Sequence, residues 1–81
     1  MRRVAASRIY FNNKDFRTNH VVELIDHFVV NHYPLKGEIP MTEWLGGTII
    51  ICNRRAYHTR QVLTPDEVTA YTNADFNITQ L

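Results

Sequence analysis

The chain has 81 residues, and its nine basic and eight acidic side chains give a formal net charge of +1 at neutral pH. This length allows one domain, which we take as residues 1–81, and such a domain buries only about 60–65% of the surface that its unfolded chain exposes. The single cysteine excludes an internal disulfide, and the small net charge by itself does not indicate a nucleic-acid or membrane partner.

The sequence contains no run of 18 apolar residues, so it predicts no transmembrane helix. Its first residues include two arginines but not the apolar segment of a signal peptide. We therefore expect a cytoplasmic protein that does not bind membranes. Small domains without disulfides often gain stability from a metal or from self-association, and of these two we expect a homo-oligomer and no cofactor.

Two apolar segments, residues 4–11 and 16–25, come first in the chain. The four residues between them, Asn-Asn-Lys-Asp, favour turns and tolerate positive φ. The pattern predicts a β-hairpin.

The segment "HVVELIDHFVVNH", residues 20–32, fits both a helix and a second hairpin. A helix would have an apolar face and would end at Pro34. A hairpin would turn at Asp26 and His27, which places His20 opposite Tyr33 and Val21 opposite His32. We favour the hairpin, because six of the thirteen residues are Val, Ile or Phe and none is Ala.

The same choice determines what the histidines can do. On a helix, His20, Glu23 and His27 would share one face, and zinc or another first-row metal accepts such ligands. On a hairpin, His20, His27 and His32 would not converge within one protomer. The metal site is therefore a weak candidate.

A long loop, "YPLKGEIPMTEWLGG", follows and contains the only tryptophan and all three glycines. One interpretation is that Trp44 closes one end of a small core. The other is that Met41, Trp44 and Leu45 form an exposed anchor for another subunit or partner, because tryptophan is enriched at binding hot spots.

Residues 48–52, "TIIIC", and the segment "RAYHTRQVL" predict another hairpin with a turn at Asn53 and Arg54. Arg54 is a poor choice at a turn position that requires positive φ. A two-residue turn puts Cys52 and His58 on opposite faces, which argues against a Cys-His nucleophile.

This hairpin also carries the densest basic and aromatic cluster in the sequence. Arg54, Arg55, Tyr57 and Arg60 could bind phosphates or stack on bases. The alternative is that they are solvated charges that protect a strand edge.

A helix start follows. Thr64 as N-cap, Pro65 at the first helical position and Glu67 three residues after the cap form a capping box. We expect a short helix to about Tyr71 and a polar tail, about residues 72–81, that either frays or adds to a sheet edge.

Together these elements predict a mostly β fold: a small antiparallel sheet or partly open barrel of four to five short strands with one short C-terminal helix. An α+β fold with residues 20–32 helical is the alternative.

For function we expect a non-enzymatic protein-interaction module that self-associates through the Trp44 loop and sheet edges. The alternatives are a binder of nucleic acid or of a small phosphorylated ligand, and a small metal-binding protein or enzyme.

Overall fold

The computed structural model describes residues 1–12, 15–37, 39–68 and 78–81. The described part of the chain is mostly β, which confirms the predicted fold class. The strands are β1 (Arg2–Phe11), β2 (Asp15–Ile25), β3 (Phe28–Pro34), β4 (Thr42–Trp44), β5 (Thr48–Cys52), β6 (Arg55–Thr59) and β7 (Thr79–Gln80). The alternative in which residues 20–32 form a helix is wrong, because they lie in β2, β3 and the turn between them.

Five of these strands close a small barrel in the order β1-β2-β3-β6-β5. β2 is antiparallel to β1, and β5 is parallel to it. The closure between β3 and β6 is short: Phe28 pairs with Arg55, and the amide of Val29 donates to the carbonyl oxygen of Arg54 at 2.7 Å. The predicted partly open barrel is therefore a closed one with two additional strands.

β4 and β5 form one interrupted strand along β1. Ala5 pairs with Trp44, and Arg8 pairs with Thr48. The Leu45–Gly47 link therefore contains one residue more than the part of β1 that it runs beside. At that link Gly47 has a φ of 59°. β4 lies inside the segment for which the sequence predicts only a loop.

Two-residue turns join β2 to β3 and β5 to β6. Asp26 and His27 have φ angles of 50° and 70°, and Asn53 and Arg54 have 52° and 64°. Positive φ at both positions is the pattern of a type I′ turn, whose twist matches that of the flanking strands. The tight β5–β6 connection forms although Arg54 occupies a position that glycine favours.

A register shift interrupts the β2–β3 ladder. Leu24 pairs with Val29 but Glu23 pairs with Asn31, so Val30 is an extra residue in β3. The predicted pairing of His20 with Tyr33 is therefore wrong by one residue, and His20 pairs with Pro34. A β-bulge of this kind exchanges the faces of all residues beyond it.

The capping box is confirmed at the start of the helix α1, which is described over residues 65–68. The amide of Glu67 donates to Thr64 Oγ1 at 3.3 Å, and the amide of Thr64 donates to Glu67 Oε1 at 3.1 Å. The predicted helix end near Tyr71 and most of the predicted tail lie outside the described residues. The end of the tail adds to a sheet, since β7 pairs with β6.

The barrel interior is filled by aliphatic side chains from each of its walls, among them Val4, Ala6, Ile9, Val22, Leu24, Ile49, Ile51, Ala56 and Leu81. A smaller cluster of Tyr10, Ile50, Leu63 and Val68 packs where the start of α1 covers the outside of β1 and β5. Among the described residues no helix is long and apolar enough to cross a membrane.

Candidate interaction site on the outer face of the barrel

Two rows of side chains cross the outer face of β4, β1, β2 and β3. Directly paired residues on neighbouring strands point to the same face, and the observed registers therefore define both rows. One row is polar: Thr42, Arg3, Glu23 and Asn31. The other is mostly apolar and aromatic: Trp44, Ala5, Val21 and Tyr33. Asn31 and Tyr33 belong to these rows only because of the bulge in β3.

The polar row is held by the Glu23 carboxylate. Its Oε2 atom accepts hydrogen bonds from Arg3 Nε at 2.7 Å and from the Tyr33 hydroxyl at 2.8 Å. These bonds, the one from Arg3 first, hold the pKa of Glu23 below its usual value, and the bond to Glu23 raises the pKa values of both Arg3 and Tyr33. All three groups thus keep their ordinary charges at neutral pH, which suits a fixed scaffold rather than a proton exchange.

The residues that follow β3 fold over this face and leave a groove, which we call the outer groove. Its volume is about 550 Å³. It is lined by Ala5, Leu35, Gly37, Ile39, Pro40, Thr42 and Trp44. The lining is mainly apolar, as in most binding sites for organic groups.

Of the three predicted anchor residues, two are exposed, but only Trp44 lines this groove. The side chain of Met41 is 87% exposed and that of Trp44 is 56% exposed, whereas Leu45 packs against the barrel core. The interpretation in which Trp44 closes the core is therefore wrong. Trp44 shares the outer face with Ala5, and the strand alternation turns Leu45 inward.

Thr42 contributes an unusual polar atom to the lining of the groove. Its Oγ1 is buried, and in the described part of the chain it has no hydrogen-bond partner. A buried polar group without a partner is uncommon and costs free energy. Sequence reasoning missed this residue, because a threonine in a loop gives no such signal.

A second cavity lies beside the first residues of β1, and we call it the Met41 pocket. It has a volume of about 360 Å³ and is lined by Met1, Arg2, Arg3, Met41 and Glu43. Arg2 and Glu43 form an exposed ion pair there at 3.1 Å.

The histidines do not gather around a metal. His20 points into the barrel and Glu23 to the outer face, while His27 lies in the turn with Nδ1 3.1 Å from the carbonyl oxygen of Leu81. No group of three or more possible metal ligands occurs among the described residues. Two imidazoles do meet, contrary to our expectation, because the bulge puts His32 on the inner face of β3, where it stays exposed but lies 3.0 Å from His20.

The arginines of the predicted basic cluster lie at the two ends of β6. Arg54 and Arg55 lie at its first end, where the guanidinium of Arg55 lies 5.4 Å from the ring centroid of Phe28. Arg60 follows the other end, about 16 Å along the strand. Tyr57 lies between them and is half-buried.

Cys52 and His58 lie on opposite faces of the β5–β6 hairpin. Cys52 pairs with Arg55 and Ile49 with His58, as predicted. His58 Nε2 lies 3.1 Å from the carbonyl oxygen of Gly46. This confirms the geometric argument against a Cys-His nucleophile.

Comparison with known proteins adds no relative. No protein-family model matches the chain, and no curated protein or solved structure matches it significantly.

Proposed function

We propose that this chain is a non-enzymatic protein-interaction module that binds its partner through the outer groove, with Trp44 as the anchor. The observation that carries the proposal is the position of Trp44: a tryptophan 56% exposed at the rim of an apolar groove. Tryptophan is among the residues that contribute most to binding at protein interfaces, because it can bury a large rigid area.

A protein partner suits the site better than a small ligand. Drug-sized ligands are enclosed by the cavities that bind them, but here Trp44 is 56% exposed at the rim of the groove, and Met41, next to Thr42 in the chain, is 87% exposed. Lys36 and Glu43, which neighbour lining residues in the chain, are also exposed. An exposed apolar patch with a polar rim is typical of a contact between proteins.

Self-association remains part of the proposal, since a second copy can cover the same apolar surface. The nucleic-acid alternative keeps only its sequence argument, because Arg54 and Arg55 lie at the opposite end of β6 from Arg60. For the metal-binding or enzymatic alternative, the geometry of His20, Glu23 and His27 provides no support.

The proposal can be tested with the full chain and two probes: a second copy of the chain, and random peptides displayed in a library. Light scattering over a concentration series measures self-association, and calorimetry measures peptide binding. Because Trp44 is the only tryptophan, its fluorescence reports directly on the groove, and binding should shift its emission to shorter wavelength.

The matched variants are Trp44→Ala and Val62→Ala, since Val62 is also exposed, at 53%, but does not line the groove. We expect Trp44→Ala to weaken binding by at least about thirtyfold, the effect of a hot-spot residue, and Val62→Ala to leave it unchanged. The proposal is overturned if neither probe binds, or if binding does not depend on Trp44.

A further inference from the structure

β4 pairs with β1 along one of its two edges. The amide of Leu45 donates to the carbonyl oxygen of Ala5 at 2.8 Å, so the backbone groups of Leu45 face β1. Successive residues of a strand direct these groups to alternate edges, and those of Thr42 and Trp44 therefore face away from β1. No strand in the described part of the chain pairs with that edge.

The outer groove lies on the same face of β4 as the side chains of Thr42 and Trp44, which both line it. Successive side chains of a strand point to opposite faces. A strand added at this edge would therefore place every second side chain on the face of the outer groove.

We propose that β4 binds an extended segment of a partner protein as an additional strand, with an apolar side chain of that segment in the outer groove. This inference rests on the proposed function and specifies the form of its partner. Strand addition is a general mode of peptide recognition, in which main-chain hydrogen bonds give affinity and alternate pockets give specificity.

A helical partner fits the site less well. The amides and carbonyls of a helix are bonded within the helix, so it would leave the free groups of Thr42 and Trp44 to water. Because β4 has only three residues, the apolar side chain in the groove must provide most of the affinity.

The test uses hydrogen exchange of single amides in the full chain, alone and with a peptide selected from the random library. We expect the amides of Thr42 and Trp44 to exchange at least about tenfold more slowly in the complex. The amides of Glu43 and Leu45, which already face β1, are internal controls and should change little. Each backbone nitrogen of the peptide can also be methylated in turn. Methylation should weaken binding only at every second residue, because only alternate amides of an added strand face β4.

The outcomes separate this inference from the proposed function. If a peptide binds in a Trp44-dependent way but the Thr42 and Trp44 amides keep their original exchange, or if the bound peptide is helical, strand addition is overturned and the proposed function stands. If only a second copy binds, hydrogen exchange of the same two amides is measured over the concentration series. Slower exchange at high concentration then shows that the second copy supplies the added strand, and unchanged exchange overturns strand addition. If nothing binds, both proposals fall.

Discussion

Nε2 of His20 lies 3.0 Å from Nδ1 of His32, and one extra residue in β3 brings the two rings together. His20 is buried, and the ring of Phe11 packs against both imidazoles, with its centroid 4.5 Å from that of His32 and 6.0 Å from that of His20. Such a hydrogen bond needs one nitrogen that donates and one that accepts, so at least one ring must be neutral. The contact therefore depends on pH.

The free energy of unfolding should decrease as the pH falls below about 6.5. Burial, then the charges of His32 and Arg17, lower the pKa of His20 from its ordinary value of 6.5. Below that value the unfolded chain binds a proton that folded His20 does not bind, so stability rises with pH across this window and is fully present above it.

This dependence can be measured by denaturant unfolding between about pH 8 and about pH 5. The variant His20→Gln removes the titrating group and should flatten the profile. His27→Gln, at an exposed histidine of the β2–β3 turn, is the control and should keep the original slope. An unchanged slope in His20→Gln would show that another group causes the dependence.

Replacing Arg54 by glycine should stabilise the fold by about 0.5–1 kcal/mol. Arg54 has a φ of 64°, which costs an ordinary L-residue about 1–2 kcal/mol, and glycine avoids this strain while losing some entropy. Thermal or denaturant unfolding measures the gain. Arg54→Ala is the matched control, because it removes the charge but keeps the strain. Equal stabilisation by both variants would assign the effect to charge instead.

Replacing Gly47 by alanine should destabilise the fold by about 3 kcal/mol, from backbone strain and overpacking together. A Cβ atom at Gly47 would overlap the carbonyl oxygen of Thr59 and the carbonyl group of Arg60. Gly37 has a similar φ of 69°, but a Cβ atom there would meet nothing within 4 Å. Gly37→Ala should therefore cost only about 1 kcal/mol. Similar losses for the two variants would mean that the close approach at Gly47 is not important.

Thr42→Val should leave the free protein equally stable or stabilise it by up to about 1 kcal/mol, because it removes a buried hydroxyl that has no partner. Valine has the same branching as threonine, so the strand is preserved. Thr18→Val, at an exposed position of β2, is the control and should change stability by less than about 0.5 kcal/mol. A loss of stability in Thr42→Val would indicate that the hydroxyl does have a partner.

Much of the secondary structure could be predicted from local patterns. The turn at Asp26 and His27, the register of the β5–β6 hairpin and the capping box at Thr64 all follow from residue type and spacing. β4 could not be predicted in this way, because its three residues acquire strand geometry only by pairing with β1. Glu23 did carry a usable signal, since a carboxylate between Val22 and Leu24 in a strand of the core needs a partner.

The sequence by itself determined the fold class, the hairpin turns and the presence of Trp44, Met41 and Leu45 in one loop, because these depend on residues near one another in the chain. Only the tertiary structure decided which of them are exposed, and whether His32 faces His20. The physical reason is strand pairing: β4 acquires its two faces by pairing with β1, and the extra residue Val30 exchanges the two faces of β3 beyond it.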